Sequence, residues 1–192
     1  MKENKKTKKS LVTKSKLLQA VEKVLTEKGF TELKVMPICE ASDVDKKLIY
    51  FHFGDLKGLH TKFILSRDFW QPKKEIPEEL TSEVLIDYFT AIYEDNLQKQ
   101  LLIWELNNLN ETLKGVASKR EELENQMIDK FIKQQDLPAD VRPLLALLVG
   151  GFNYLSLRSA EKGDEFCGID MHKTSDRDRI INTMKMLIDG VK

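Results

Sequence analysis

The residues best placed by type and spacing to do chemistry are cations beside aromatic groups. Lys46 stands four residues before Tyr50, and Lys47 four before Phe51. On a helix each pair falls on one side, one turn apart. Lysine ammoniums neutralise phosphates, and a tyrosine hydroxyl can bond a phosphate oxygen, so this cluster suits a polyanion. His52 and Lys57 are further phosphate candidates, Lys34 could reach the same backbone, and Asp45 precedes the cluster as a helix N-cap. Packing against neighbouring helices is the other role open to Tyr50 and His52.

Catalytic chemistry finds no matching pattern. The chain has no Gly-rich phosphate loop, nucleophile elbow or zinc-ligand spacing. Its three histidines (His52, His60, His172) and two cysteines (Cys39, Cys167) are too scattered for a metal site. Glu121-Glu122 and Asp176-x-Asp178 have the look of solvated helix faces. We therefore expect no enzyme, no metal and no cofactor.

The net charge of zero over 192 residues conceals an asymmetry. Residues 1–67 hold 15 Lys and Arg against 8 Asp and Glu, a balance of +7, and the other 125 hold 16 against 23, or −7. A basic front and an acidic back imply that only the front meets a polyanion. The lysines of the first ten residues (Lys5, Lys6, Lys8, Lys9) fit a groove-tracking arm and a solvated tail equally well. Met1–Lys16 is charged and has no apolar core of a secretory leader. The longest apolar run, Leu144–Phe152, is nine residues, against about 20 for a bilayer span, so a cytoplasmic location is expected.

The elements that must position these groups read as helices throughout. Leu17, Val21, Val24 and Leu25 recur on one helical face, and Gly29 ends that helix. A second helix over Val35–Ser42 carries Pro37 in its first turn, where a missing N–H costs little. Asp45 caps a third from Lys46 to about His52, and a fourth runs from Leu56 toward Arg67. Pro72 and Pro77 bracket a linker-like stretch. Beyond it, helices are expected around Leu85–Ile92, over Leu101–Asn108, and over Glu111–Gln135 with Leu123, Met127, Ile128, Phe131 and Ile132 inward; Pro138 follows. Arg142–Lys162 is apolar almost all round and must be buried on more than one side. Gly150-Gly151 at its centre costs about 1 kcal/mol per glycine relative to alanine, which a close neighbouring backbone would explain. With Ser175–Val191 it could form half of a four-helix dimer bundle or part of a monomeric core.

The second and third helices have the lengths and short turn of a helix-turn-helix, with Lys46, Lys47, Tyr50 and Phe51 outward on the helix that would enter a major groove. At these residues the sequence resembles the TetR family of bacterial regulators. The resemblance runs through Leu17-Leu18-x-Ala20-Val21, Lys28-Gly29-Phe30, Val35-x-x-Ile38, Val44 to Gly54 and Gly58-Leu59, with Ile49-Tyr50-Phe51-His52-Phe53-Gly54 its most specific part. It implies an all-α homodimer that binds a palindromic DNA operator, usually as a repressor, and responds to a small-molecule effector in its C-terminal domain. Four positions depart from the family pattern: Lys34 replaces a Thr N-cap, Asp43 a turn glycine, Asp45 a serine, and Leu56 a phosphate-binding lysine, with Lys57 one place along.

The expected organisation is a basic flexible tail (1–12), an N-terminal three-helix helix-turn-helix domain (13–70), and a helical ligand-binding and dimerisation domain (78–192). DNA contacts are expected from Lys34, Asp45, Lys46, Lys47, Tyr50, His52 and Lys57. Candidates to line an interhelical pocket are Phe89, Tyr93, Trp104, Asn107, Asn108, Asn153 and Tyr154, each of which could equally be core or interface packing. No charged residue stands inside the apolar faces, which favours a neutral or amphipathic effector.

Overall fold

A computed structural model describes residues 2–66, 68–70, 77–107, 111–137, 141–163 and 165–191, with backbone alone for 2–7 and 162. The described residues form helices α1 (Lys2–Lys28), α2 (Val35–Ser42), α3 (Lys46–Phe53), α4 (Leu56–Ile64), α5 (Ser82–Thr90), α6 (Asn96–Asn107), α7 (Glu111–Gln134), α8 (Arg142–Lys162) and α9 (Thr174–Asp189). The fold is all-α. An isolated antiparallel bridge, Phe166 with Ile169, is the β pairing among the described residues. Pro72, Pro138 and Asn108 lie outside the described residues.

Two compact units emerge. The first comprises Met1–Phe69 with Gln100–Gly115, and the second Trp70–Lys99 with Val116–Lys192. The end of α6 and the start of α7 thus group with the N-terminal helices in the first unit. Residues 2–12, expected as a flexible tail, continue α1. Lysine is a good helix former, and neither glycine nor proline interrupts this stretch.

In the first unit α1 packs on α2 and α4 through Leu17, Val21, Val24 and Leu25, all at most 2% exposed. Gly29 stops α1 at φ 81, its N–H donating to the Leu25 carbonyl at 3.1 Å. Ile38, Ile49, Leu59 and Phe63 complete the core between α1 and the three short helices. Trp104 joins it at 3% exposure, its ring edge-on to His60 with centroids 5.3 Å apart. That contact, with Thr61 facing Thr112 at 3.5 Å, is why Gln100–Gly115 belongs to this unit.

In the second unit Thr81 caps α5 by accepting from the Val84 N–H at 3.3 Å. Gln134 accepts from the Leu80 N–H at 2.8 Å, and Gln135 donates to the Leu80 carbonyl at 2.9 Å, tying the segment before α5 to the end of α7. Met127 and Phe131 are buried as expected, but Leu123 is 48% exposed rather than inward. The α8–α9 connection turns tightly at Cys167 and Gly168 (φ 52 and 74) inside the Phe166–Ile169 bridge. Tyr93 donates to the Met171 carbonyl at 2.7 Å, and Arg177 stacks on the Tyr93 ring while donating to the same carbonyl.

The apolar surface of α8 is only partly covered within the chain. Leu145 and Phe152 are 2% exposed, whereas Leu147 is 75% and Tyr154 48% exposed. On α9, Met184 and Ile188 are buried while Met186 and Leu187 are 67% and 44% exposed. Burial of α8 on more than one side is therefore not achieved among the described residues. Nor does a neighbour crowd Gly150-Gly151: a Cβ added at either would meet nothing within 4 Å.

Candidate nucleic-acid interface

The interface candidate is α3 and the turns that fix it. The turn from α2 needs a left-handed residue, and Asp43 supplies it at φ 53, its N–H donating to the Cys39 carbonyl. Aspartate is among the few side chains that tolerate this conformation, so the turn forms without glycine. Two residues on, the Asp45 carboxylate accepts from the Lys47 N–H at 2.8 Å and starts α3. Gly54 ends the helix at φ 82. Asp55 then caps α4 by accepting from the Gly58 N–H at 2.6 Å. A Cβ at Gly58 would stand 2.1 Å from the Phe53 carbonyl oxygen, so only glycine lets α4 approach the end of α3 this closely.

These constraints bury Ile49 and turn the opposite side of α3 outward. Lys46 and Lys47 are exposed, as are Tyr50 at 51% and Phe51 at 77%. Asp43 and Asp45 are exposed as well, so carboxylates flank the start of the cationic face. Asp45 is engaged by its own helix as a cap, which disperses part of its charge into the N-terminal N–H groups. Lys57 is exposed in the first turn of α4, and Lys34 is exposed with an ion pair to Glu32 at 2.9 Å. His52 is half-buried and points the other way, lining an open groove of about 610 Å³ with Leu11, Lys14, Leu18, Phe53 and Lys62. Burial, with the Lys14 charge adding to it, pushes the His52 imidazole below its ordinary 6.5. Lys14 and Lys62 were not singled out from sequence, because their convergence needs the packing of α1 on α4.

The residues expected to line an effector pocket divide between the two units. Trp104 and Asn107 belong to the first, and Phe89, Tyr93, Asn153 and Tyr154 to the second. Trp104 is committed to His60, and the Asn107 side chain donates to the Ile103 carbonyl of its own helix at 2.7 Å. Phe89 is 7% exposed, and Tyr93 is held by Met171 and Arg177. Tyr154 lies edge-on to Phe166 at 5.4 Å. Asn153 Oδ1 is buried with no hydrogen-bond partner among the described residues. No group of three or more His, Cys, Asp or Glu side chains able to hold a metal ion occurs among the described residues. Nor is any described helix long and apolar enough to cross a membrane.

A helix-turn-helix of α2 and α3 braced by α1 and α4, followed by longer helices, is the all-α architecture that the resemblance to TetR-type regulators implied. The chain superposes on Salmonella enterica GusR with a TM-score of 0.54 and 19% identity, covering 92% of this chain and 95% of that one. NalD, the secondary repressor of the MexAB-OprM multidrug efflux pump in Pseudomonas aeruginosa, aligns at 18% identity over 92% and 95% of the two chains, with a TM-score of 0.47. At 19% identity the likeness to GusR shows a common fold and nothing finer. No family model and no curated protein sequence matches the chain.

Proposed function

We propose that the protein is a ligand-responsive transcriptional regulator, acting as a repressor, that binds a palindromic operator in double-stranded DNA as a homodimer. The observation that carries this reading is α3: a capped eight-residue helix with Lys46, Lys47 and Tyr50 exposed on the side opposite its buried Ile49. Such a helix fits the major groove, with Lys34 and Lys57 as backbone contacts and Asp45 fixing the helix start, while His52, turned into the open groove with Lys14 and Lys62, is left out of this contact set. The second support is apolar surface left uncovered on both helices: Leu147 on α8, whose Gly150-Gly151 is open, and Met186 and Leu187 on α9. Two copies meeting there would bury these side chains and let backbones approach at the glycines, completing a four-helix bundle. A two-fold dimer would present two α3 helices to a palindrome with half-sites about 34 Å apart. The effector site is assigned to the second unit, where the Asn153 oxygen, buried without a partner among the described residues, offers an acceptor to a neutral or amphipathic molecule. Trp104 is not part of that assignment, and the protein is assigned to the cytoplasm.

The test is selection of sites from random duplex DNA, followed by titration at several salt concentrations. Enrichment of a palindrome is expected. Lys46→Ala should lower the salt slope by about 0.9 for the lost phosphate contact, and Tyr50→Ala should weaken binding with the fold and dimer intact. A second reading, a binding module of the same fold without operator recognition, draws on the exposed Asp43 and Asp45 at the rim of α3. It gains if no palindrome is enriched and binding is weak and uniformly salt-sensitive.

A further inference from the structure

We propose that Phe51 reads DNA sequence by packing its ring on the 5-methyl group of a thymine in the major groove. This inference rests on the operator-binding reading and deepens it. Phe51 is 77% exposed, the highest value among the large hydrophobic side chains of the described residues. Within the chain its aromatic neighbour is the His52 ring, edge-on at 4.9 Å, which leaves most of the ring in water. A single exposed apolar residue would need no explanation, but Phe51 adjoins Tyr50, itself 51% exposed, so α3 presents two neighbouring aromatic rings to solvent.

The surroundings select the partner. Lys47 lies one turn before Phe51 on the same side of α3, and Lys46 with Tyr50 forms the adjacent row. An apolar ring one turn along from an ammonium group, beside a second row headed by another, calls for a ligand that carries anions next to an apolar group. Duplex DNA has this composition: phosphates line the groove, and the thymine methyl is the apolar group that unmodified base pairs present on its floor. An apolar protein pocket rimmed by acids is the rival occupant. Lysines at 46 and 47 carry affinity without sequence preference, whereas a methyl contact discriminates thymine from cytosine at the same position.

The experiment uses the full-length protein and the palindrome obtained by selection. Each thymine of the half-site is replaced in turn by deoxyuridine, which removes the methyl and leaves the base pairing, and Kd is measured at one fixed salt concentration. One position should weaken wild-type binding about fourfold, the equivalent of one buried methylene at about 0.8 kcal/mol. Phe51→Ala should bind thymine and deoxyuridine at that position equally, with an unchanged salt slope, and Phe51→Leu should fall between. A palindrome bound with no deoxyuridine effect at any position overturns this inference and leaves the operator reading standing, which returns Phe51 to the rival protein contact. The same discrimination retained by Phe51→Ala, with helicity and salt slope intact, also overturns it. Failure to enrich any palindrome removes the operator reading itself, and this inference with it.

Discussion

Helices α3 and α8 answer the same problem, where to put apolar side chains, in opposite ways. In α3 every boundary is fixed within three residues: Asp45 caps the start, Gly54 ends it, and Ile49 fills the core. Its outward side chains are not used by the fold. In α8, 21 residues long, the apolar surface exceeds what its own chain covers, and Leu147 stays 75% exposed. Short helices whose ends are chemically specified can be finished by one chain. A long helix apolar on most sides cannot, and the leftover surface is itself information about assembly.

The largest effect is expected where the head is tightest. Gly58→Ala places a methyl group 2.1 Å from the Phe53 carbonyl oxygen, a backbone atom with no freedom to retreat. Overpacking of this kind should cost about 3 kcal/mol, read as a drop in the thermal midpoint of the first unit and loss of DNA binding. Gly151→Ala, where no atom lies within 4 Å in one chain, gives the contrasting result. It should leave a monomer unharmed, and it should destabilise the protein only if a second copy packs there.

The next effect tests the other side of the comparison. Leu147→Glu and Met186→Glu, singly or together, put carboxylates on the uncovered face of α8 and α9. Sedimentation should then show monomers at micromolar concentration, with helicity retained, whereas Leu65→Glu on the exposed end of α4 should leave the dimer intact. If the charged variants sediment like wild type, the face does not join two copies, and the contrast between α3 and α8 loses its meaning.

How much of this was legible in the sequence follows from the range of the interactions involved. The limits of α2, the start of α3 and the end of α1 were readable because Asp45 and Gly29 act on backbone groups two to four residues away. The role of Gly58 was not, since it depends on how closely α4 returns to a carbonyl at the end of α3. Leu123 sits on the same nominal stripe as Met127 and Phe131, yet no helix covers it, and periodicity cannot say where a covering element stops. Trp104 reads from sequence as one more aromatic of an interhelical pocket, with Phe89 and Tyr93, because its partner, His60, is 44 residues away. Phe51 was read as outward-facing, but exposure as extreme as 77% only becomes visible once α1 and α4 have failed to cover it.

The smallest predicted effect sharpens the boundary between the two regions. His60 on α4 faces Trp104 on α6, its Nε2 buried without a hydrogen-bond partner among the described residues. Burial pushes its imidazole below the ordinary 6.5, opposed by its hydrogen bond to the Leu33 carbonyl and by the Asp55 charge. The folded protein therefore resists a proton that the unfolded chain accepts near 6.5. Between the lowered folded value and 6.5 the unfolded state binds more protons, so stability rises with pH through this window. It is fully present above about pH 6.5 and lost as the pH falls toward the folded value. His52 is lowered as well and adds a contribution of the same sign, so the informative quantity is the difference from His60→Gln, which keeps a donor for Leu33. Urea unfolding at pH 5.5 and 7.5 should show a smaller pH dependence in the variant, accompanied in wild type by a change in Trp104 fluorescence. An equal dependence in both would mean that His60 takes its proton freely and that the α4–α6 contact is loose, which would return Gln100–Gly115 to the C-terminal region.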